Sequence, residues 1–495
     1  MKILLVYPQY PDTFWSFKYA LRFISKKAAF PPLGLLTVAA MLPNEWQKKL
    51  VDMNTTTLTD KNIKWADYVF ISAMIVQKES VKEVIARCRK FNTKIVAGGP
   101  LFTTGFEQFD FGDVDHFGLG EAEAILPLFL EDLQKERAQH IYSSNEHPDI
   151  TKTPIPLWEL IDMKKYAEMN VQYSRGCPFN CEFCDIIILN GHRPRTKDKD
   201  QLVAELEALY RQGWKDGVFI VDDNFIGNKK KLKAETLPAM IRWSQGRKYP
   251  FWFSTEASIN LADDEELMQL MTKAGFDTVF VGIETPNEES LVECNKFQNV
   301  NRDLIASVKK VQNYGLQVQG GFIVGFDSDP LSIFKSQINF IQRSGIVTAM
   351  VGLLNAPPGT RLYQRLKKEN RLLPGGSGDN TDGTINFVPK MNYETLINGY
   401  KNIVKTIYAS RQHYERIKTF LKEYRPQRMR KGKLHFCEIR AVVKSMWFMG
   451  VKEKGRSCYW RLFSSTLFKK PRLFPLFITL TIYGFHFRKV AKKIQ

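Results

Sequence analysis

The sequence predicts an α/β protein in three parts: an N-terminal doubly wound, Rossmann-like domain, a partial TIM-like (β/α)6 barrel of parallel strands, and a helical C-terminal extension. Three observations predict it. Short apolar strands alternate with amphipathic stretches over residues 1–145, the rhythm of a parallel sheet covered by helices on both faces. After a proline-rich break at 146–165 the rhythm resumes, with six strand-like runs across 166–373. The charge then changes: from Arg411 onward 22 Lys/Arg stand against 4 Asp/Glu, so +18 of the net +19 lies in the last 85 residues.

At 495 residues the chain exceeds one ordinary core. Its 44% hydrophobic and 25% charged residues are ordinary for a globular protein. Seven cysteines in this length exclude a secreted disulfide scaffold. Cys88, Cys294, Cys437 and Cys458 are scattered, whereas the other three crowd into eight residues, which predicts a metal site in a reducing compartment. The apolar run in the opening MKILLVYPQYPDTFW is too short for a signal peptide. No run reaches the roughly 18 apolar residues of a membrane-spanning helix. The expected location is the cytoplasm, or the inner face of the membrane as a peripheral protein.

In the first part, strands are expected at 2–7, 49–53, 68–72, 94–97 and 116–119. A helix is expected at 80–90, with Val81, Val84, Ile85 and Cys88 on one face. Doubly wound sheets bind ligands at the carboxyl ends of their strands. The prolines at 148, 154 and 156 favour extended chain, and 146–165 reads as a linker. In the second part, strands are expected at 170–174, 217–222, 251–256, 278–284, 317–324 and 348–355, giving a barrel that is only partly closed. PGGSGDNTDG after Leu373 is a loop by composition. A helix-rich segment, 374–495, carries the basic excess and begins with a helix at 393–408.

The chemistry concentrates in Tyr-Ser-Arg-Gly-Cys177-Pro-Phe-Asn-Cys181-Glu-Phe183-Cys184. This spacing places three thiolates on one short loop after a strand. Soft thiolates select iron–sulfur or zinc. A structural zinc site needs a fourth ligand, for which His192 is the near candidate.

Cx3CxφC with an aromatic at φ resembles the signature of the radical S-adenosylmethionine (AdoMet) superfamily. The resemblance implies that Cys177, Cys181 and Cys184 ligate three irons of a [4Fe–4S] cluster, and that the fourth iron chelates AdoMet, whose reductive cleavage yields a 5′-deoxyadenosyl radical. It implies an external reductant such as flavodoxin or ferredoxin. It also places AdoMet contacts at strand ends. These are Phe183 in the loop, Asp222 and Asp223 (with a departure from the usual Gly-Gly-Glu), Ser254, Glu256, Glu284 at the ribose, Gly321, Ile323 and Gly325 in a GxIxG strand, and Asn355.

The first part resembles cobalamin-binding domains fused to radical AdoMet cores. Ser72-Ala73-Met74 stands where such domains have Ser-x-Leu, Gly98-Gly99-Pro100 matches a Gly-Gly turn, and Gly118-Leu119-Gly120-Glu121 is a third turn of the same type. The Asp-x-His-x-x-Gly motif is absent: the chain reads Asp52-Met53-Asn54, so bound cobalamin is expected to lack a protein imidazole on cobalt.

Residues 380–390 and the following helix resemble a subgroup that includes the hopanoid methylases. The resemblance therefore implies cobalamin-dependent methylation of an unactivated carbon in a lipid-like or other secondary-metabolite substrate. One rival is radical oxidation or cyclisation of the anaerobic tetrapyrrole-cyclase type. Another is nucleic-acid binding by the basic tail through Trp447, Tyr459 and Trp460, although no nucleic-acid fold signature accompanies them. Finally, the apolar run 473–485 lies between Lys469, Lys470, Arg472 and Arg488, Lys489, Lys492, Lys493. At 13 residues it is too short to span a bilayer, and it reads as a membrane-surface contact. The alternative is a buried helix, which Pro475 and Gly484 would weaken.

Overall fold

The computed structural model describes residues 1–106, 112, 114–374, 377–379, 381–426 and 436–494. Gly375, Gly376 and Asn380 of the expected loop, the cations at 428–433 and the Cys437 side chain lie outside the described residues.

The first sheet contains β1 (Lys2–Tyr7), β2 (Gln47–Asp52), β3 (Tyr68–Ser72), β4 (Lys94–Gly98), β5 (His116–Leu119) and β6 (Ile141–Ser143). Its order is β2-β1-β3-β4-β5-β6, and every pairing is parallel. Successive residues of β1 serve opposite faces: Leu4 and Val6 pack into one apolar layer, Ile3 and Leu5 into the other. A parallel sheet buried on both sides needs this continuous apolar run. Helix Lys78–Lys90 covers one face with Val81, Val84, Ile85 and Cys88, the four residues of the expected stripe. The strand order reverses between β1 and β3, which opens a crevice at their carboxyl ends.

Residues 146–165 run between the two sheets as an ordered segment. Three 3-10 turns order them, and Trp158 is buried in the core of the second sheet.

That sheet contains β7 (Met169–Val171), β10 (Val218–Ile220), β11 (Phe253–Glu256), β12 (Phe276–Glu284), β13 (Gln317–Val324) and β14 (Ala349–Leu353). Its order is β14-β13-β12-β11-β10-β7, all parallel, with β7 and β14 left as unjoined edges. The barrel is therefore open. The strand expected at 170–174 is split, because the chain turns a corner at Tyr173. There Ser174–Arg175 (β8) pairs antiparallel with Arg195–Thr196 (β9). Asp222 makes this corner by accepting from the Tyr173 amide at 2.8 Å and the Ser174 hydroxyl at 2.6 Å.

The C-terminal part is helical, with helices Tyr393–Tyr408, Ser410–Glu423, Phe436–Trp447, Arg456–Lys469 and Phe474–Ile494. The expectation for 473–485 is corrected here. The run lies within helix Phe474–Ile494, whose Phe477, Leu480, Phe487 and Val490 are buried in the protein core. Pro475 sits in the first turn, where a helix tolerates it. Gly484 is a contact residue: a Cβ there would fall 2.1 Å from His413 Nε2. The glycine lets two helices meet closely. Among the described residues no helix is long and apolar enough to cross a membrane.

Candidate functional site

The cysteine loop hangs from the β8–β9 hairpin. Gly176 has φ +93°, and a Cβ there would stand 2.8–2.9 Å from the carbonyl oxygens of Gly191, Arg193 and Asn190. Glycine is required by both conformation and space. The Cys177 amide donates to the Gly191 carbonyl, and the Cys184 amide to the Cys181 carbonyl, each at 3.2 Å. Arg365 grips Glu182, between the cysteines, at 2.8 and 3.0 Å.

Two of the three sulfurs have a side-chain amide as neighbour. Asn224 Nδ2 lies 4.0 Å from Cys177 Sγ, and Gln298 Nε2 lies 3.8 Å from Cys181 Sγ. Burial pushes the Cys177 and Cys184 thiols up, and the Lys296 ammonium opposes that shift. Burial alone would lower Lys296, but the charges of Glu284, Cys181 and Cys184 outweigh it and hold the ammonium above its usual range. A permanent cation beside three thiols favours the thiolate, which is the metal-ligand form. Among the described residues no three His, Cys, Asp or Glu side chains converge as ligands of one metal ion, and His192 is exposed. This donor set suits a cluster with one iron per thiolate better than a single zinc.

Glu284 ends β12 at a shift in register with β13 and takes φ +64°, a strained conformation for a non-glycine residue. Its Oε1 accepts from Lys296 Nζ at 2.7 Å. A Cβ on Gly282 would lie 2.3 Å from that oxygen and 2.8 Å from Nζ, so the glycine makes room for the pair.

A cavity of about 1650 Å³ joins the two sheets. A pocket for one small molecule is commonly roughly 300–1,000 Å³, so this space can take more than one ligand. Of the residues singled out in sequence, Phe183, Asp223, Ser254, Glu256, Glu284, Gly321, Ile323 and Asn355 line it on the barrel side, and Ser72, Ala73, Met74 and Pro100 line it on the side of the first sheet. The latter occupy the β1–β3 crevice, together with Tyr7 and Tyr10.

Other expected contacts lie away from the cavity lining. Asp222 is buried in the Tyr173–Ser174 corner. Gly325, at φ +109°, donates its amide to Asp329 at 2.8 Å. Gly99, at φ +92°, seats its turn on Ser72: a Cβ would meet the Ser72 hydroxyl at 2.5 Å. Gly98 and Gly118 pack strand against strand, and Gly120 lies against the Ser144 carbonyl. Glu121 turns toward the barrel, where it pairs with Arg175 and Arg195, each at 2.6 Å. Lys296, Gln298 and Asn190 belong to the site without having been expected. No motif marks them: Lys296 and Gln298 lie far along the chain and only the fold brings them to the cysteines, and Asn190 ends the short helix Ile186–Asn190 after Cys184, where its side-chain amide donates to Asp223 at 2.9 Å. Asp52 binds Asn54 and the Tyr166 hydroxyl where a cobalt-ligand motif would stand.

Comparison with known proteins agrees with this arrangement. The B12 binding domain family matches residues 23–130, the Radical SAM superfamily residues 171–340, and a domain of unknown function (DUF4070) residues 360–495. An uncharacterized methyltransferase of Synechocystis sp. is 41% identical over 498 residues, covering 100% of this chain and 93% of the relative. The hopanoid C-2 methylase of Rhodopseudomonas palustris is 32% identical over 473 residues, covering 93% and 88%. Two solved structures share the fold. The cobalamin-dependent AdoMet radical enzyme OxsB with aqua-cobalamin bound has TM-score 0.63 at 15% identity, covering 100% of this chain and 80% of that one. The radical AdoMet methyltransferase TsrM of Kitasatospora setae, with cobalamin and a [4Fe–4S] cluster bound, has TM-score 0.58 at 15% identity, covering 74% and 78%. With a cobalamin-type sheet, a three-cysteine loop and one cavity between them, the chain belongs to the B12-binding radical AdoMet enzymes, in the group that contains hopanoid C-2 methylase.

Proposed function

We propose that this enzyme methylates an unactivated carbon of an apolar, lipid-like substrate, with cobalamin as the methyl carrier. The observation that carries the reading is the single cavity shared by the β1–β3 crevice and the carboxyl ends of the barrel strands. The hopanoid named for one relative supports the apolar substrate class.

When bound, the cluster with AdoMet supplies a hydrogen-abstracting radical, and cobalamin supplies a methyl group. In this proposal Cys177, Cys181 and Cys184 hold the cluster, and Asn224 and Gln298 donate toward the sulfurs. Asp223, Ser254, Glu284 and Asn355 present polar atoms to AdoMet, while Phe183, Gly321 and Ile323 wall its apolar part. Ser72, Ala73, Met74 and Pro100 border cobalamin, with Gly98, Gly99, Gly118 and Gly120 shaping the turns behind. Glu256 is pushed up to about 8, first by burial and then by the charges of Asp223 and Asp222. Burial thus favours its protonated form, in which the carboxyl is a hydrogen-bond donor at the cavity wall. The apolar walls exclude water from a reactive intermediate. A one-electron reductant of the flavodoxin or ferredoxin class completes the system.

Anaerobic reconstitution should load about four irons and four sulfides per chain. Cys181→Ala should abolish AdoMet cleavage. Turnover with methyl-deuterated AdoMet and cell lipid extract, read by mass spectrometry, should yield a lipid carrying one trideuteromethyl group. AdoMet cleavage with an oxidised, unlabelled product would favour cyclase-type chemistry instead.

A further inference from the structure

The apolar run that stands out in sequence is core, yet a different apolar surface lies close by. Along helix Phe436–Trp447 the residues Ile439, Val443 and Trp447 follow one another at helical spacing of four, and they are 50%, 60% and 52% exposed. Phe468, at the end of helix Arg456–Lys469, is 81% exposed. Of the 20 large hydrophobic side chains exposed among the described residues, seven fall within residues 439–468. The stripe of Ile439, Val443 and Trp447 on one helix face marks an interaction surface, whereas singly scattered exposure does not.

Two further observations point to the occupant. Residues 438–470 carry eight Lys/Arg against two Asp/Glu, Glu438 and Glu453, and Glu453 is paired with Arg488 at 2.7 Å. Seven of the eight cations are exposed. A symmetric contact with a second copy would set these cations against one another, whereas an anionic surface would attract them. The cavity also reaches the surface here: Glu438 and Val442 on one side, and Arg472, Pro475 and Thr479 on the other, line it, and all but Val442 are exposed.

We propose that this face docks on an anionic lipid bilayer, with Ile439, Val443 and Trp447 entering the interface, the surrounding cations meeting headgroups, and the cavity opening toward the membrane. The cations are attracted to such a surface, and salt screens the attraction. The inference goes beyond the proposed chemistry and does not depend on methyl transfer.

The experiment uses the full chain with vesicles of equal phosphatidylglycerol and phosphatidylcholine, by co-sedimentation at low and high salt. Wild type should bind, release at high salt, and ignore pure phosphatidylcholine. Ile439→Ser/Val443→Ser/Trp447→Ser should bind at least tenfold more weakly while keeping its fold by circular dichroism. Brominated lipid should quench fluorescence in wild type and less in Trp447→Phe. The proposal is overturned by any of three results: no binding at low salt, equal binding of the triple variant, or binding of oligonucleotides but not vesicles. Self-association of wild type that the triple variant loses, without vesicle binding, would overturn it as well.

Discussion

A single missing Cβ at Gly282 governs the most strained part of the site. Alanine there would press on the Glu284 carboxylate and the Lys296 ammonium together. Gly282→Ala should weaken AdoMet binding about tenfold, or about 1.4 kcal/mol. Calorimetric titration of the reconstituted protein checks this, and unchanged iron content would separate the effect from loss of the cluster. Equal affinity would remove Glu284 from the proposed AdoMet contacts. At this scale the cysteines were legible because their motif is contiguous and its chemistry is local. The role of Gly282 was not, because it depends on Lys296, which arrives fourteen residues later by way of a bulge and a loop. Asp222 was legible as an acidic turn but not as a latch for the Tyr173 corner.

Among the elements, β1 and β3 were legible to the residue because each is built on an unbroken apolar run, and β13 because Gly325 closes its Phe322-Ile323-Val324 run. The three-residue β6 was missed because Tyr142 is its one buried side chain. The final helix was read as a surface segment because composition cannot tell an interface helix from a core one. Its packing makes a pH prediction. His486 Nε2 lies 3.0 Å from the Phe14 carbonyl oxygen, which can only accept, so Nε2 carries the proton and donates it. Burial holds His413 well below its ordinary value and His486 at about 4. Unfolded, each titrates near 6.5. Between about pH 6.5 and 4 the unfolded chain binds protons that the folded chain refuses. Stability therefore falls as pH drops, by up to about 1.4 kcal/mol per unit for each histidine. Thermal unfolding at pH 7.5 and 5.0 should show the fall, and His486→Gln should reduce it; an unchanged slope would dismiss His486 as a contributor.

For the whole molecule, the order of the parts was legible because each has its own periodicity. The cavity between them was not, since its lining comes from all three. Arg175, two residues before Cys177, reaches back to Glu121 and Glu123 beyond β5, and Arg195 reaches Glu121 and the Pro148 carbonyl, each at 2.6 Å. Removing the shared acid takes the common partner from two partly buried guanidinium groups, although Arg175 keeps Glu123 and Arg195 keeps the Pro148 and Asn190 carbonyls. Glu121→Ala should cost about 3 kcal/mol. Limited proteolysis should then cut faster within 144–165, and protection equal to wild type would show that these ion pairs do not join the domains.

The open barrel has a consequence for how such a chain can be inherited and engineered. A closed barrel fills its own interior with side chains, but here Asp277 and Glu284, at opposite ends of β12, both border empty space. The walls that complete this space come from the first sheet and from the last helix, whose Phe487 and Val490 belong to the same core as Val279 and Val281. The three matched regions are thus not exchangeable cassettes. A transplanted barrel would arrive without two of its sides, so a change of substrate has to come through substitutions along the shared seams and not through the swapping of whole domains.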